Sequence, residues 1–318
     1  MSPRPAFDRN PAFDDRPLRK VVEDAAMGRW EGARELLTAT GADWDRRVFR
    51  LQVLARAGVR LTFADTWAQA EPRSPHALAL LAHVQALRSM ADGRARGRSE
   101  AMERAWEACD AAADALPPDP SPYIVMLALL RFHSPNRDPA WRATVRQVWE
   151  QVEQRDRWSR EAHHELLTYM FPAWHGTGGE MFHWAQERCA QAPRGLPLHV
   201  LPLVALAESH RQRMEKDGHR YGLTVHPWTD NPSTWQAWEN WWAYRAPTRL
   251  HAGFHEDANY LAHALSFANR HREAAEVFDA IGPYATDAPW SYCGDAQALF
   301  SRHRGWAVKA SAQYPHRR

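Results

Sequence analysis

Seventeen of the 318 residues are histidine, and some are spaced as imidazole chemistry would need them. Glu161 with His164, and Glu180 with His183, form two Glu-x-x-His pairs. At a spacing of three, a carboxylate and an imidazole share one face of a helix, and di-iron carboxylate bundles use two such pairs with a further Glu from two other helices. Those further Glu residues have no assignable position here. His251 and His255 stand four apart, a spacing that aligns two imidazoles for zinc, and Glu256 and Asp257 follow. Gly253 weakens that helix, however, and the Glu next to the first His of an HExxH protease is missing. Hydrogen-bonded or solvated structural roles account more simply for each of these His residues. No cofactor is expected; a metal ion held by these residues is the alternative.

Tryptophan is the more unusual feature, at 16 residues. Trp235, Trp238, Trp241 and Trp242 fall on one expected helix, with Trp228 and Tyr244 flanking it. Trp235, Trp238 and Trp242 share a face by the three/four rule. Such a stripe reads first as core and second as a ligand or peptide groove, because an indole joins a large apolar area to an N–H donor. In the groove reading Trp228, Trp235, Trp238 and Trp242 form the walls, and Tyr221, His226 and Arg245 supply polar contacts. No nucleophile elbow, P-loop or GxGxxG motif is present. Gly176-Thr177-Gly178-Gly179 precedes a helix but has no Lys after it and no strand before it, so it reads as a hairpin connection rather than an anion site. The adjacent carboxylates Asp14 and Asp15 are expected to face water.

These residues sit in a chain of ordinary globular composition, 45% hydrophobic and 25% charged, with a formal net charge of +2. That balance argues against a nucleic-acid partner; Arg94, Arg96, Arg98 and Arg317–Arg318 are local basic spots expected in a loop and a tail. The longest non-aromatic apolar run, Ile124 to Leu130, is seven residues, against roughly 20 for a bilayer crossing. No secretory signal is visible, and Cys109, Cys189 and Cys293 form no CxxC pair. The expectation is a cytoplasmic protein without a membrane partner.

Apolar residues recur at three and four, almost never at two, and the chain reads as all-α. Helices are expected near 17–26, 31–40, 44–57, 63–71, 75–87, 100–116, 122–133, 139–154, 159–171, 180–191, 197–216, 233–243, 256–269, 271–281 and 295–310. Breakers from Asp217 to Pro232 mark an irregular segment. The expected organisation is a polar arm over 1–16, a single helical domain over 17–310 with a Trp-rich insertion at about 217–247, and a basic tail over 311–318.

Two segments share one pattern. Ala25-Ala26-Met27-Gly28-Arg29-Trp30 leads into a helix with Ala33 and Leu37, and Phe267-Ala268-Asn269-Arg270-His271 leads into one with Ala274 and Phe278. Each has small residues closing a helix, a Gly or Asn able to turn left-handed, a large ring, then an Ala where two helices approach. This resembles the helix-turn-helix of tetratricopeptide (TPR) repeats, and stops at Pro72, Pro117 and Pro193 resemble the proline closing such repeats. Taken together, Gly28-Arg29-Trp30, Asp43 to Arg47, Arg160 to His163, Trp174 to Met181 with Ala192-Pro193, and Phe278 to Pro283 resemble a family of uncharacterised TPR-like helical proteins from actinobacteria. The resemblance covers most of the chain except 215–250. It implies antiparallel hairpins stacked as a TPR-like α-solenoid or compact helical array, and carries no activity. The function expected is a scaffold capturing a peptide or protein partner in a helical groove. The alternative is a small-molecule tailoring enzyme, metal-dependent in one version, with a Trp/His-lined pocket.

Overall fold

The structure is a computed structural model that describes residues 7–91, 99–135, 138–217, 227–246 and 250–313. Tyr221, His226, the Arg94–Arg98 spot and Arg317–Arg318 lie outside these residues. The described residues fold as helices, with no strand among them. Their contacts form two compact units, residues 10–177 and residues 178–318 together with 1–9. The division falls inside the Gly-rich connection at 176–179.

The first unit holds α1 (Arg16–Ala26), α2 (Glu31–Thr40), α3 (Trp44–Gly58), α4 (Phe63–Ala70), α5 (Pro75–Ala91), α6 (Glu100–Ala115), α7 (Ser121–His133), α8 (Pro139–Arg155) and α9 (Arg160–Tyr169). Asp15, Asp43, Ser99, Asp138 and Ser159 cap α1, α3, α6, α8 and α9, each accepting from a first-turn backbone N–H that would otherwise lack a partner. The α1–α2 turn is made by Gly28 at φ 79°, as the pattern requires, and behind it Ala33 and Leu37 are fully buried. Trp30 stacks on Trp67 at 5.8 Å. Helix α3 packs on α5, α5 on α7 and α7 on α9, and α3 also reaches α7 and α9; α6 packs on α5 and α7, and α8 on α7. Alternate helices thus form an inner set.

Two arginines of α3 hold this set. Arg47, fully buried, donates from Nε to Asp119 Oδ2 at 2.7 Å and from Nη1 to His76 Nδ1 at 2.8 Å. A guanidinium cannot lose a proton, so His76 accepts and is neutral there; burial, then Arg47 itself, lowers its pKa. Asp119 also accepts from Ser121 N at 2.8 Å, which starts α7. Arg50 donates to Asp15 at 2.8 and 3.3 Å and to Thr40 Oγ1 at 2.8 Å. Asp15 is therefore buried, not solvated as expected of the Asp14-Asp15 pair, because capping α1 and pairing with Arg50 satisfy its carboxylate. Ala12 and Phe13, within the segment read as a polar arm, are also buried.

The second unit holds α10 (Gly178–Gln191), a 3-10 turn (Pro197–Val200), α11 (Leu201–Asp217), α12 (Pro232–Ala237) running into a π-helical turn (Trp238–Trp242), α13 (Phe254–Phe267), α14 (His271–Ile281) and α15 (Ala296–Gln313). The helix expected over 197–216 begins instead at Leu201. The ring of Pro202 would collide with the carbonyl of residue 198 in a continuous α-helix, but is accommodated in a first turn. Asn269 makes the α13–α14 turn at φ 59°, and Ala274 and Phe278 are buried behind it, matching the α1–α2 hairpin. Phe7 meets Phe300 edge-on at 5.5 Å, and Asp8 N donates to Pro283 O at 3.0 Å.

Asp119→Ala would leave the Arg47 charge buried without its carboxylate, a change that costs about 3–5 kcal/mol. Urea unfolding of this variant should show a loss of that order; a loss under about 1 kcal/mol would show that Arg47 finds other compensation.

Candidate functional site

The Trp stripe divides between core and surface. Trp228, Trp241 and Trp242 are buried, Trp238 is half-buried and Trp235 is 41% exposed. The reason is the π turn: widening the helix over 238–242 changes the angular step, so the face that an α-helix would give to Trp235, Trp238 and Trp242 is broken. Trp238 stacks on Trp242 at 6.0 Å, and Trp241 meets Trp242, His251 and Phe254 at 5.8–6.2 Å. Arg245 lies 3.4 Å over the Trp242 ring and donates to Trp242 O. Trp235 faces out beneath the Arg270 guanidinium at 5.6 Å. The turn after α10 closes on this segment: Gly195 N donates to Asn240 O at 2.6 Å, and a Cβ at Gly195, whose φ is 88°, would stand 2.9 Å from Tyr244 O. Of the groove candidates, Trp228 and Trp242 are therefore core, and Trp235, Trp238 and Arg245 lie at its edge.

The histidine candidates are dispersed. Glu161 and His164 lie on α9 of the first unit, close enough for His164 to act on the Glu161 carboxylate. Glu180 and His183 belong to the second unit and are exposed. His251 precedes α13, which begins after Gly253, so it does not share a helix with His255. Its Nε2 bonds to the buried Asp257 at 2.8 Å, while the buried His255 packs 4.4 Å from Tyr284. Among the described residues, no three His, Cys, Asp or Glu side chains are gathered to hold a metal. Elsewhere imidazoles act as ring packing: His263 meets Trp228 at 4.9 Å and Trp290 at 5.0 Å, and His303 meets Trp306 at 4.9 Å. Cys293 Sγ lies 3.5 Å from His263 Nε2, but burial pushes that thiol up to about 12, so the pair holds no thiolate at neutral pH.

The most developed site is a cavity of 210 Å³ in the first unit, to which α3, α5, α7 and α9 each give one stripe. Lining residues are three or four apart on every helix: Gln52, Ala55 and Arg56; His83, Ala86 and Met90; Ile124, Ala128 and Arg131; Glu161 and Glu165. The alanines at 55, 86 and 128 leave the room. Charges ring it in pairs. Arg131 Nε donates to Glu165 Oε2 at 3.0 Å while its guanidinium covers Trp174 at 4.9 Å. Glu161 accepts from Gln52 at 2.7 Å and pairs with Arg160 at 3.0 Å. Burial raises the Glu165 carboxyl above its ordinary value against the pull of Arg131. Burial also works on Glu161, but Arg160, Gln52, His164 and Arg56 hold it below its ordinary value. Arg56 is exposed. His83 is buried, its Nδ1–H donates to Ala79 O at 2.9 Å, and its Nε2 has no partner among the described residues. Burial pulls this imidazole down to about 4, so Nε2 is a lone-pair acceptor lining a charged cavity.

Of the candidates read from the sequence, only Glu161 lines this cavity; His164 acts on it from outside the lining. Glu165, four residues after Glu161, carried a helical signal, whereas His83, Arg131 and Arg56 come together only by packing. The site belongs to an all-helical unit with a charged interhelical cavity. No family model matches the chain, and neither a curated protein nor a solved structure does. No described helix is long and apolar enough to cross a membrane.

Trp241→Ala should cost about 3–5 kcal/mol and Trp235→Ala at most about 0.5 kcal/mol in urea unfolding; equal costs would contradict the division of the stripe. His83 has a folded-state pKa below its unfolded one, so the unfolded chain binds the extra proton between these values. It therefore contributes stability above about pH 6.5 that is lost as pH falls toward about 4, up to about 3 kcal/mol. His83→Gln should flatten the fall in urea midpoint over that window, and an unchanged slope would place the titration elsewhere.

Proposed function

We propose that the chain is a helical binding scaffold that captures a segment of a protein or peptide partner, in the manner implied by its resemblance to TPR-like proteins. The reading is supported above all by the cavity of the first unit. Four helices from successive hairpins turn one stripe each toward a shared space, as repeat scaffolds do when they build a concave surface. The two matching hairpin turns at Gly28 and Asn269 support it further. A partner side chain that donates a hydrogen bond would complete His83 Nε2, and the exposed Arg56 would meet an acceptor or an anionic group beside it. The paired Glu161 and Glu165 carboxylates select against an apolar occupant, since burying them beneath one would remove water without replacing its hydrogen bonds.

The immobilised chain should retain a stoichiometric partner from a lysate of its source. His83→Phe, which fills the cavity, and Arg56→Glu, which reverses its exposed charge, should each weaken that capture about tenfold or more. Trp235→Ala should not. Equal recovery by both cavity variants would overturn the reading, as would turnover of a small molecule by a chain that recovers no partner.

A further inference from the structure

A second opening in the first unit lies apart from the charged cavity. It is a groove of 350 Å³ lined by Met102, Trp106, Leu130, Ala140, Trp141 and Thr144, with Glu103 and Glu107 also on its wall. Trp106 and Trp141 are half-buried, and the described lining holds two carboxylates and no cation. The indole faces and the acidic wall both favour a positive charge with an alkyl stem.

The wall continues beyond the groove. Glu103, Glu107, Asp110 and Asp114 follow one another at four, three and four residues, which places them on one stripe of α6 about 16 Å long. All four are exposed, and none has an ion-pair partner among the described residues. Arg104, the cation of this helix, stands off the stripe and lies 3.6 Å from Glu100. Arg142, beside Trp141 in sequence, is directed away and donates to His175 O at 3.2 Å. Burial, then the charges of Asp114 and Glu107, raises the Asp110 carboxyl, as a like-charged row without a counter-charge should.

We propose that the groove between α6 and α8 is a docking site for a basic, extended protein segment, one side chain of which enters the cleft lined by Trp106 and Trp141 while neighbouring Lys or Arg side chains run along the α6 carboxylates. An extended chain of about five residues spans the stripe. The cleft supplies the anchor and the stripe supplies charge complementarity, so affinity falls with salt and association is steered. The site makes no use of the charged cavity and does not depend on it.

Titration calorimetry of the 318-residue chain with the blocked peptide acetyl-Arg-Lys-Leu-Arg-Arg-Leu-amide tests this. Binding is expected, weakened about tenfold or more by the double variant Glu103→Gln/Glu107→Gln and by Asp110→Asn/Asp114→Asn, and weakened by added salt. The carboxylates are exposed, so these variants keep the fold; Trp141→Ala, checked by circular dichroism, should lose the anchor and weaken binding to a similar extent. His83→Phe should bind the peptide as the unchanged chain does, which separates this site from the charged cavity. No binding, binding indifferent to the carboxylate variants, or spermidine bound as tightly as the peptide would overturn the proposal.

Discussion

The buried guanidinium of Arg47 and that of Arg50, one turn apart on α3, tie the ends of four other helices of the first unit to α3. A buried cation is tolerated only with a carboxylate and hydrogen-bond acceptors in place. Here those acceptors are the ends of other helices: Asp15 at the start of α1, Thr40 at the end of α2, His76 in the first turn of α5 and Asp119 just ahead of α7. Orientation follows from this. With these arginines committed to one side of α3, the opposite side, carrying Gln52 and Arg56, is turned to the cavity shared with α5, α7 and α9. The same charges that fix the helices thereby set which residues a ligand would meet.

In the second unit a buried amide and a set of aromatic rings hold the helices together. Asn259, fully buried, donates to the carbonyls of His255 and Tyr284 at 2.7 and 2.9 Å and accepts from Trp290 Nε1 at 2.9 Å. Around it imidazoles and indoles alternate, edge to face from Trp228 through His263 to Trp290 and tilted from Trp290 to His303. Imidazole suits this packing because it is flat and aromatic. Part of the high histidine and tryptophan content is explained in this way as core, without metal chemistry.

Helix positions were largely legible in the sequence. Apolar periodicity, the caps at Asp15, Asp43, Ser99 and Ser159, and the stops at Gly41 and Gly282 act within a few residues, so a reader of the chain has all the information that the backbone uses. Departures came where local rules compete. Pro202 delayed α11, and the Trp-rich helix widened to a π turn where its indoles are packed against Phe254 and Arg245.

The sites were legible only in fragments. Trp106 reads from sequence as one more residue of an amphipathic helix, and Trp141 as another, yet together they line a groove that neither predicts alone. His83 carries no motif; its value lies in residues of α3, α7 and α9, distant in sequence, that surround it. The all-helical character, the ends of most helices and the left-handed turns at Gly28 and Asn269 follow from residue order. Which indoles are core, which carboxylates are paired and where space is left follow from how the helices pack. Hydrogen bonding and helical period are local properties, whereas burial and charge pairing depend on which face of a distant helix arrives opposite.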